Sequence, residues 1–417
     1  TGGGCFTTAA FHILFGRRYI LNKKQKYTFI SLMLASTVAA YAQYQMNVFS
    51  IDLITAYQIS ASRFAFLFTA PMLPAIFLSI PLGKLSDKIG YRNAIQLGLA
   101  FTILGLTGRI FAENYSTLWI CMAFSGASSI TLFVNSARVL EEVVPAEKSV
   151  LFMGIYTTAS MLAQTFATAT SAVLYSTLQK AYVGALVYAV VITVIWAGNY
   201  CIEKENAENT EFRNADRSSE QKGKFSEVLS CKGIWFTAVS LFCILGATIT
   251  LNTFLPAALM EIHGFSKSQA GTVASMISFG NMFGAVIGPV LYRKLKKFSR
   301  LIFLFGGISI IGCIGGWMLH EQILMIIIYF ITGIAIGGAM PIYFTMPIRL
   351  REISSDNIST AGGLITTFQL GGAVIVPSYI IAPIAGNNYS EIFILTAVVI
   401  AIAVGLGVLL EKELIKL

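Results

Sequence analysis

Gly83-Lys-Leu-Ser-Asp-Lys-Ile-Gly-Tyr-Arg-Asn93 is a short charged interruption between two long apolar runs, and its reading decides the fold. Gly83 lets two backbones approach and Gly90 supports a tight turn. Asp87 is an anion at the edge of apolar sequence and needs a cation or a helix N-terminus beside it. The runs on either side have the length, about 20 residues, that carries a helix across a bilayer.

Working outward, such runs recur along the chain, at 27–50, 61–82, 94–112, 117–137, 150–175, 181–202, 232–256, 268–291, 300–319, 322–345, 357–384 and 390–410. Residues are 56% apolar and only 12% charged, with a mean hydropathy of +0.73, which excludes an ordinary soluble protein. The expected fold class is an all-α polytopic membrane protein of twelve transmembrane helices.

The net charge of +9 would suggest a polyanion partner in a soluble chain, so its distribution matters. If alternate loops lie on opposite sides, all of the 29 Lys and Arg residues except Arg63, Arg109, Lys180 and Lys267 fall on one side. Positive-inside then places both termini in the cytoplasm, and the basicity reflects topology rather than nucleic-acid binding. The six cysteines show no paired spacing and suggest neither a disulfide framework nor a metal site. Thr1–Lys26 lacks a charged leader before an apolar stretch and reads as a cytoplasmic segment, not a signal peptide.

Residues 203–230 form the one long polar stretch and read as a cytoplasmic linker, largely disordered. It separates an N-terminal six-helix bundle, 27–202, from a C-terminal one, 231–411, with 1–26 and 412–417 as cytoplasmic ends. Weak internal repeats support two pseudo-symmetric halves. Asn47-Val-Phe returns as Asn252-Thr-Phe and Gly83 as Gly288, both 205 residues on. Arg138-Val-Leu-Glu141 returns as Arg349-Leu-Arg-Glu352 after 211 residues, and Gly154-Ile-Tyr-Thr-Thr as Gly363-Leu-Ile-Thr-Thr after 209.

The turn at Gly83–Asn93 resembles the signature loop of the major facilitator superfamily, G-x-L-x-D-R/K-x-G-R/K-R/K, with Tyr91 in place of a basic residue. The resemblance implies a conformational latch of Gly83, Asp87, Gly90, Arg92, Arg138, Glu141, Arg349 and Glu352. Asp87 would engage Arg138 or the start of the eleventh helix. The second copy, from Gly288, has Tyr292 where the Asp would stand. Two other signatures of the superfamily are missing. Met122 replaces the Arg of the fourth-span R-x-x-Q-G, and the fifth span lacks the G-x-x-x-G-P of many drug antiporters.

No Asp, Glu or His lies in the interior of a span so drawn, so no carrier of a coupled proton is visible. Arg109, near the end of the third span, can hold an anion through its fork of donors, or can snorkel to the interface as an anchor. The run around it and Gly154-Ile-Tyr-Thr-Thr look like the branch that includes cyanate and nitrate porters. Tyr41, Gln45, Asn47, Asn135, Asn252 and Gln369 complete the candidate solute-binding set; each can instead bond between helices. The chain thus reads as a monomeric secondary transporter of the plasma (inner) membrane. It would move a small organic or inorganic anion, with or without a coupled ion, by rocker-switch alternating access. It needs no cofactor and is not an enzyme; the alternative is an exporter of amphipathic drugs or metabolites.

Overall fold

The computed structural model describes residues 22–144, 146–204, 225–295, 297–350, 352–353 and 357–413. They build helical rods α1–α12, one for each apolar run. In the first six, α1 runs Lys23–Tyr44, turns through a 3-10 segment Gln45–Phe49 and resumes at Ser50–Tyr57. Next come α2 (Ala61–Thr69, Ala70–Met72, Leu73–Ile89), α3 (Tyr91–Ile110), α4 (Tyr115–Ser125, Ala127–Val143), α5 (Ala146–Leu174) and α6 (Leu178–Lys204). The second six are α7 (Lys232–His263), α8 (Lys267–Leu295), α9 (Phe298–Gly315), α10 (Gln322–Phe344, Met346–Arg349), α11 (Ile358–Ile375, a π turn Val376–Ile381, Ala382–Ala385) and α12 (Tyr389–Leu410).

Local chemistry sets these limits. Asn22 opens α1 with a capping box, its carboxamide accepting from the Gln25 backbone at 2.8 Å while Gln25 returns a bond at 3.0 Å. Ser60 and Asn114 cap α2 and α4 with single bonds, their side chains accepting from the Arg63 and Thr117 backbone N–H groups. Gly90, at φ +83°, makes the reversal between α2 and α3 that a side chain would strain.

Among the described residues nine helices are long and apolar enough to cross a membrane; α1, α3 and α5 fall short of that measure. The sequence predicts twelve spans. The three exceptions carry much of the polar sequence: Gln43 and Gln45 in α1, Arg109 in α3, and Thr157, Thr158, Thr165 and Thr168 in α5. The linker also differs from expectation. Its last residues, Phe225–Ser230, form a short helix that buries Val228 and receives a 2.8 Å hydrogen bond from Asn357 to Glu227; residues 205–224 lie outside the described residues.

Packing is densest between α8 and α10, where glycines remove the spacing that side chains impose. A Cβ on Gly280, Gly284 or Gly288 would stand 2.2, 2.2 and 2.1 Å from the carbonyl oxygens of Phe330, Ile334 and Gly338. This is the small-xxx-small contact of membrane helices. Gly288, matched in sequence to Gly83 as a loop-closing residue, therefore serves helix packing.

The two groups of six helices meet near one end, the far face, opposite the Asp87 turn. Tyr44, Phe68 and Ala167 of the first group pack with Ile249 and Ala373 of the second. Further toward the far face a Cβ on Gly271 of α8 would touch both Thr168 of α5 and Val48 of α1. Lys267 then pairs with Asp52 and lies 5.3 Å above the Phe49 ring. At the rim Ser62 donates to the Ser378 carbonyl at 2.5 Å. Near the Asp87 face, Gly154 of α5 and Gly362 and Gly363 of α11 have open space where a Cβ would stand.

Candidate functional site

At the Asp87 face, Arg138 Nη1 lies 2.6 Å from Asp87 Oδ1. Arg92 Nη2 lies 2.7 Å from Glu142 Oε2, and Tyr91 donates its hydroxyl to the same carboxylate. Tyr91, which departs from the signature, thus ties α3 to the end of α4. Burial and the adjacent Glu142 carboxylate raise the pKa of its phenol, so it stays a donor at neutral pH. Glu142 rather than its neighbour takes these bonds; the side chain of Glu141 is outside those described. Gly83 approaches Val134 of α4, a Cβ there standing 3.6 Å from its Cγ1.

The second half repeats the arrangement with different chemistry. Arg349 Nη1 donates to the Tyr292 hydroxyl at 2.6 Å and its guanidinium lies 4.8 Å from that ring. Glu352 is exposed beyond the end of α10.

Deeper in the first half, Arg109 is 1% exposed, so it does not snorkel to an interface as one sequence reading allowed. It points inward because α1 breaks beside it. The 3-10 turn frees the Ala42 carbonyl, which accepts from Arg109 Nη1 at 3.0 Å, and brings Gln45 Oε1 to 2.7 Å from Nη2. The Tyr182 ring covers the guanidinium at 4.3 Å. Nε has no hydrogen-bond partner, and no carboxylate among the described residues pairs with this cation. Gln45 completes the clamp by donating to the Ala181 carbonyl at 3.1 Å.

The other candidates divide. Asn47, in the 3-10 turn, is fully buried with both amide atoms unpartnered. Ser50 on α1 and Thr168 and Ser171 on α5 also carry buried hydroxyls without partners. The Tyr41 ring lies 5.1 Å from that of Tyr188, tilted by 47°, and its hydroxyl reaches the Tyr175 hydroxyl at 3.4 Å. Asn252 is occupied, donating to Thr248 O on its own helix at 2.8 Å and accepting from Ser278 at 3.4 Å, so the repeat partners Asn47 and Asn252 differ in state. Asn135 bonds Ser86 and Thr131 O on the Asp87 side and ties α4 to α2, away from Arg109. Gln369 lies on α11, 9% exposed.

Sequence reasoning missed the ion pair between Asp52 and Lys267. The first span was ended at residue 50, which left Asp52 in a loop, whereas the helix continues to Tyr57. Ser60, the cap of α2, was the available signal that the loop between these helices is only three residues long.

Two six-helix groups that meet at one face, joined there by an ion pair and carrying buried polar groups beside a broken first helix, define a membrane secondary transporter. The chain belongs to the Major Facilitator Superfamily, whose family model matches residues 32–377. Among curated proteins it is 22% identical over 329 residues to the "Uncharacterized transporter YycB" of Bacillus subtilis (strain 168), covering 76% of each chain. It is 22% identical over 291 residues to the "Nitrite extrusion protein" of the same organism, covering 68% of this chain and 70% of that one. Among solved structures it shares the fold of a bacterial homologue of the human lysosomal transporter Spinster. That match has a TM-score of 0.78 and 14% identity, over 94% of this chain and 98% of the other.

Proposed function

We propose that this transporter moves a small organic or inorganic anion across the inner membrane by rocking residues 27–202 against 231–411, with Asp87 facing the cytoplasm. In this frame the far face is external and closed. The observation that carries the reading is Arg109, a cation removed from water with no carboxylate among the described residues to balance it. A buried charge left uncompensated is costly, and a solute anion arriving within reach of its unpartnered Nε would relieve that cost. The relative named for nitrite extrusion supports the same class of solute.

Gln45→Glu tests this more sharply than loss of the arginine, because it keeps an acceptor for Arg109 Nη2 and places a carboxylate beside the guanidinium, giving up only the donor to the Ala181 carbonyl. If the cation serves an anionic solute, the new ion pair with Arg109 offsets the lost bond to Ala181, so this variant folds and loses uptake of nitrite, nitrate and small carboxylates into proteoliposomes. Wild-type uptake in Gln45→Glu, for any anion of that panel the parent carries, would reduce Arg109 to a brace for the broken helix.

A further inference from the structure

A pocket lies outside the buried centre, at the far-face rim where the two groups of helices meet. It encloses about 550 Å³ between Arg63 and Phe66 of α2, Tyr115 and Ser116 at the start of α4, and Ser378 and Tyr379 in the π turn of α11. Such turns are frequent at functional sites. Arg63 is exposed and no carboxylate among the described residues pairs with it. Tyr115 fixes one wall, its hydroxyl donating to the Arg63 carbonyl at 3.1 Å and its ring lying 5.5 Å from the guanidinium. Phe66 is held flat by stacking on Trp119 at 5.2 Å and meets the Tyr379 ring edge-on at 5.5 Å. Ser378, on the wall of the pocket, is 1% exposed and its hydroxyl has no partner.

We propose that this pocket binds a small aryl carboxylate, its carboxylate on the Arg63 guanidinium and its ring between Phe66, Tyr115 and Tyr379. A forked cation suits a carboxylate, and offset or edge-on aromatic faces suit a flat apolar body. A bare inorganic anion would use only the first and a neutral arene only the second. Because Arg63 and Phe66 belong to one group of helices and Tyr379 to the other, parting of the groups dismantles the pocket. A bound ligand therefore favours the state closed at this face by mass action and acts as a brake from that side. This site and its brake stand apart from any anion at Arg109.

The test uses the full chain in nanodiscs, titrated with benzoate, acetate and benzyl alcohol. Benzoate binds more tightly than either fragment; Arg63→Gln weakens it about tenfold, the loss typical of a hydrogen bond to a charged group, and Tyr379→Ala weakens it about fivefold, the loss typical of an aromatic contact. Arg109→Gln leaves benzoate binding unchanged. Both pocket positions are exposed, and ligand-free unfolding temperatures within about 2 °C of the parent check their fold. A single cysteine at Thr168, buried where the groups meet, reports opening through its labelling by a water-soluble maleimide. Benzoate slows that labelling in the parent and not in Arg63→Gln. Equal affinity for acetate, or benzoate binding indifferent to both pocket substitutions, overturns the site; labelling unchanged by saturating benzoate overturns the brake.

Discussion

Arg349 holds the hydroxyl and the ring of Tyr292 where the other half of the molecule sets Arg138 against Asp87, with N–O distances of 2.6 Å in both. The two halves therefore share a geometry but not a charge. A phenol is a neutral acceptor, and a bond between a cation and a carboxylate is stronger than one to a neutral group. The second half should release its loop more readily than the first.

Tyr292→Phe keeps the ring beneath Arg349 and removes its acceptor, costing about 1–2 kcal/mol by the usual worth of such a bond. Thermal unfolding in detergent should fall by a few degrees, and Tyr292→Asp should raise it while slowing transport. An unfolding temperature unmoved in Tyr292→Phe would show that the contact contributes nothing.

The pair between Lys267 and Asp52 joins the groups at the far face, with both side chains about 40% exposed, at 40% and 38%. Exposed pairs of this kind are worth at most about 1 kcal/mol, or roughly fivefold in an equilibrium. Asp52→Asn should speed maleimide labelling of a cysteine at Ser171 by up to that factor. Exchanging the two residues, Asp52→Lys with Lys267→Asp, should restore the slow rate; failure of the exchange to do so would assign the effect to packing.

Gly284→Ala places a methyl 2.2 Å from the Ile334 carbonyl oxygen, and the helices must part to admit it. Overpacking of this kind costs about 1–3 kcal/mol. Gly307→Ala, with nothing within 4 Å, is the control and should unfold like the parent. Equal stability of the two variants would contradict the close approach of α8 and α10.

Asn47→Leu removes two buried polar atoms that have no partner. Replacing such a group by an apolar one of similar size is neutral or stabilising, so the unfolding temperature should hold or rise. Transport should fall if the amide meets solute during the cycle, and parallel assays of stability and flux on one preparation separate the two effects.

These sites differ in how openly the sequence displays them. The helices were legible because about 20 apolar residues between polar turns leave the backbone few alternatives in lipid. The Gly83–Asn93 turn was legible because a charged, glycine-bearing loop stands out in such a chain. Gly280-x-x-x-Gly284-x-x-x-Gly288 is equally plain as a pattern, but the match of Gly288 to Gly83 points to a loop end, whereas its spacing points to helix packing. The clamp around Arg109 was half visible. An arginine near a span end has two physical outcomes, outward to water or inward to freed carbonyls, and only the break of α1 at Gln45 selects the second. Asp52 and Lys267 lie 215 positions apart, and nothing local connects them.

The shortfall of α1, α3 and α5 in apolar content has a consequence for how the protein is made. A helix with too few lipophilic residues gains too little from lipid alone to remain across the bilayer during synthesis. α1, which precedes α2–α12 in the chain, is one of the three, and its Gln43 and Gln45 find partners at the Phe68 and Ala181 carbonyls and the Arg109 guanidinium, in α2, α6 and α3. Its insertion must then be completed by helices translated after it, so the N-terminal half enters the membrane as a cooperative unit rather than helix by helix.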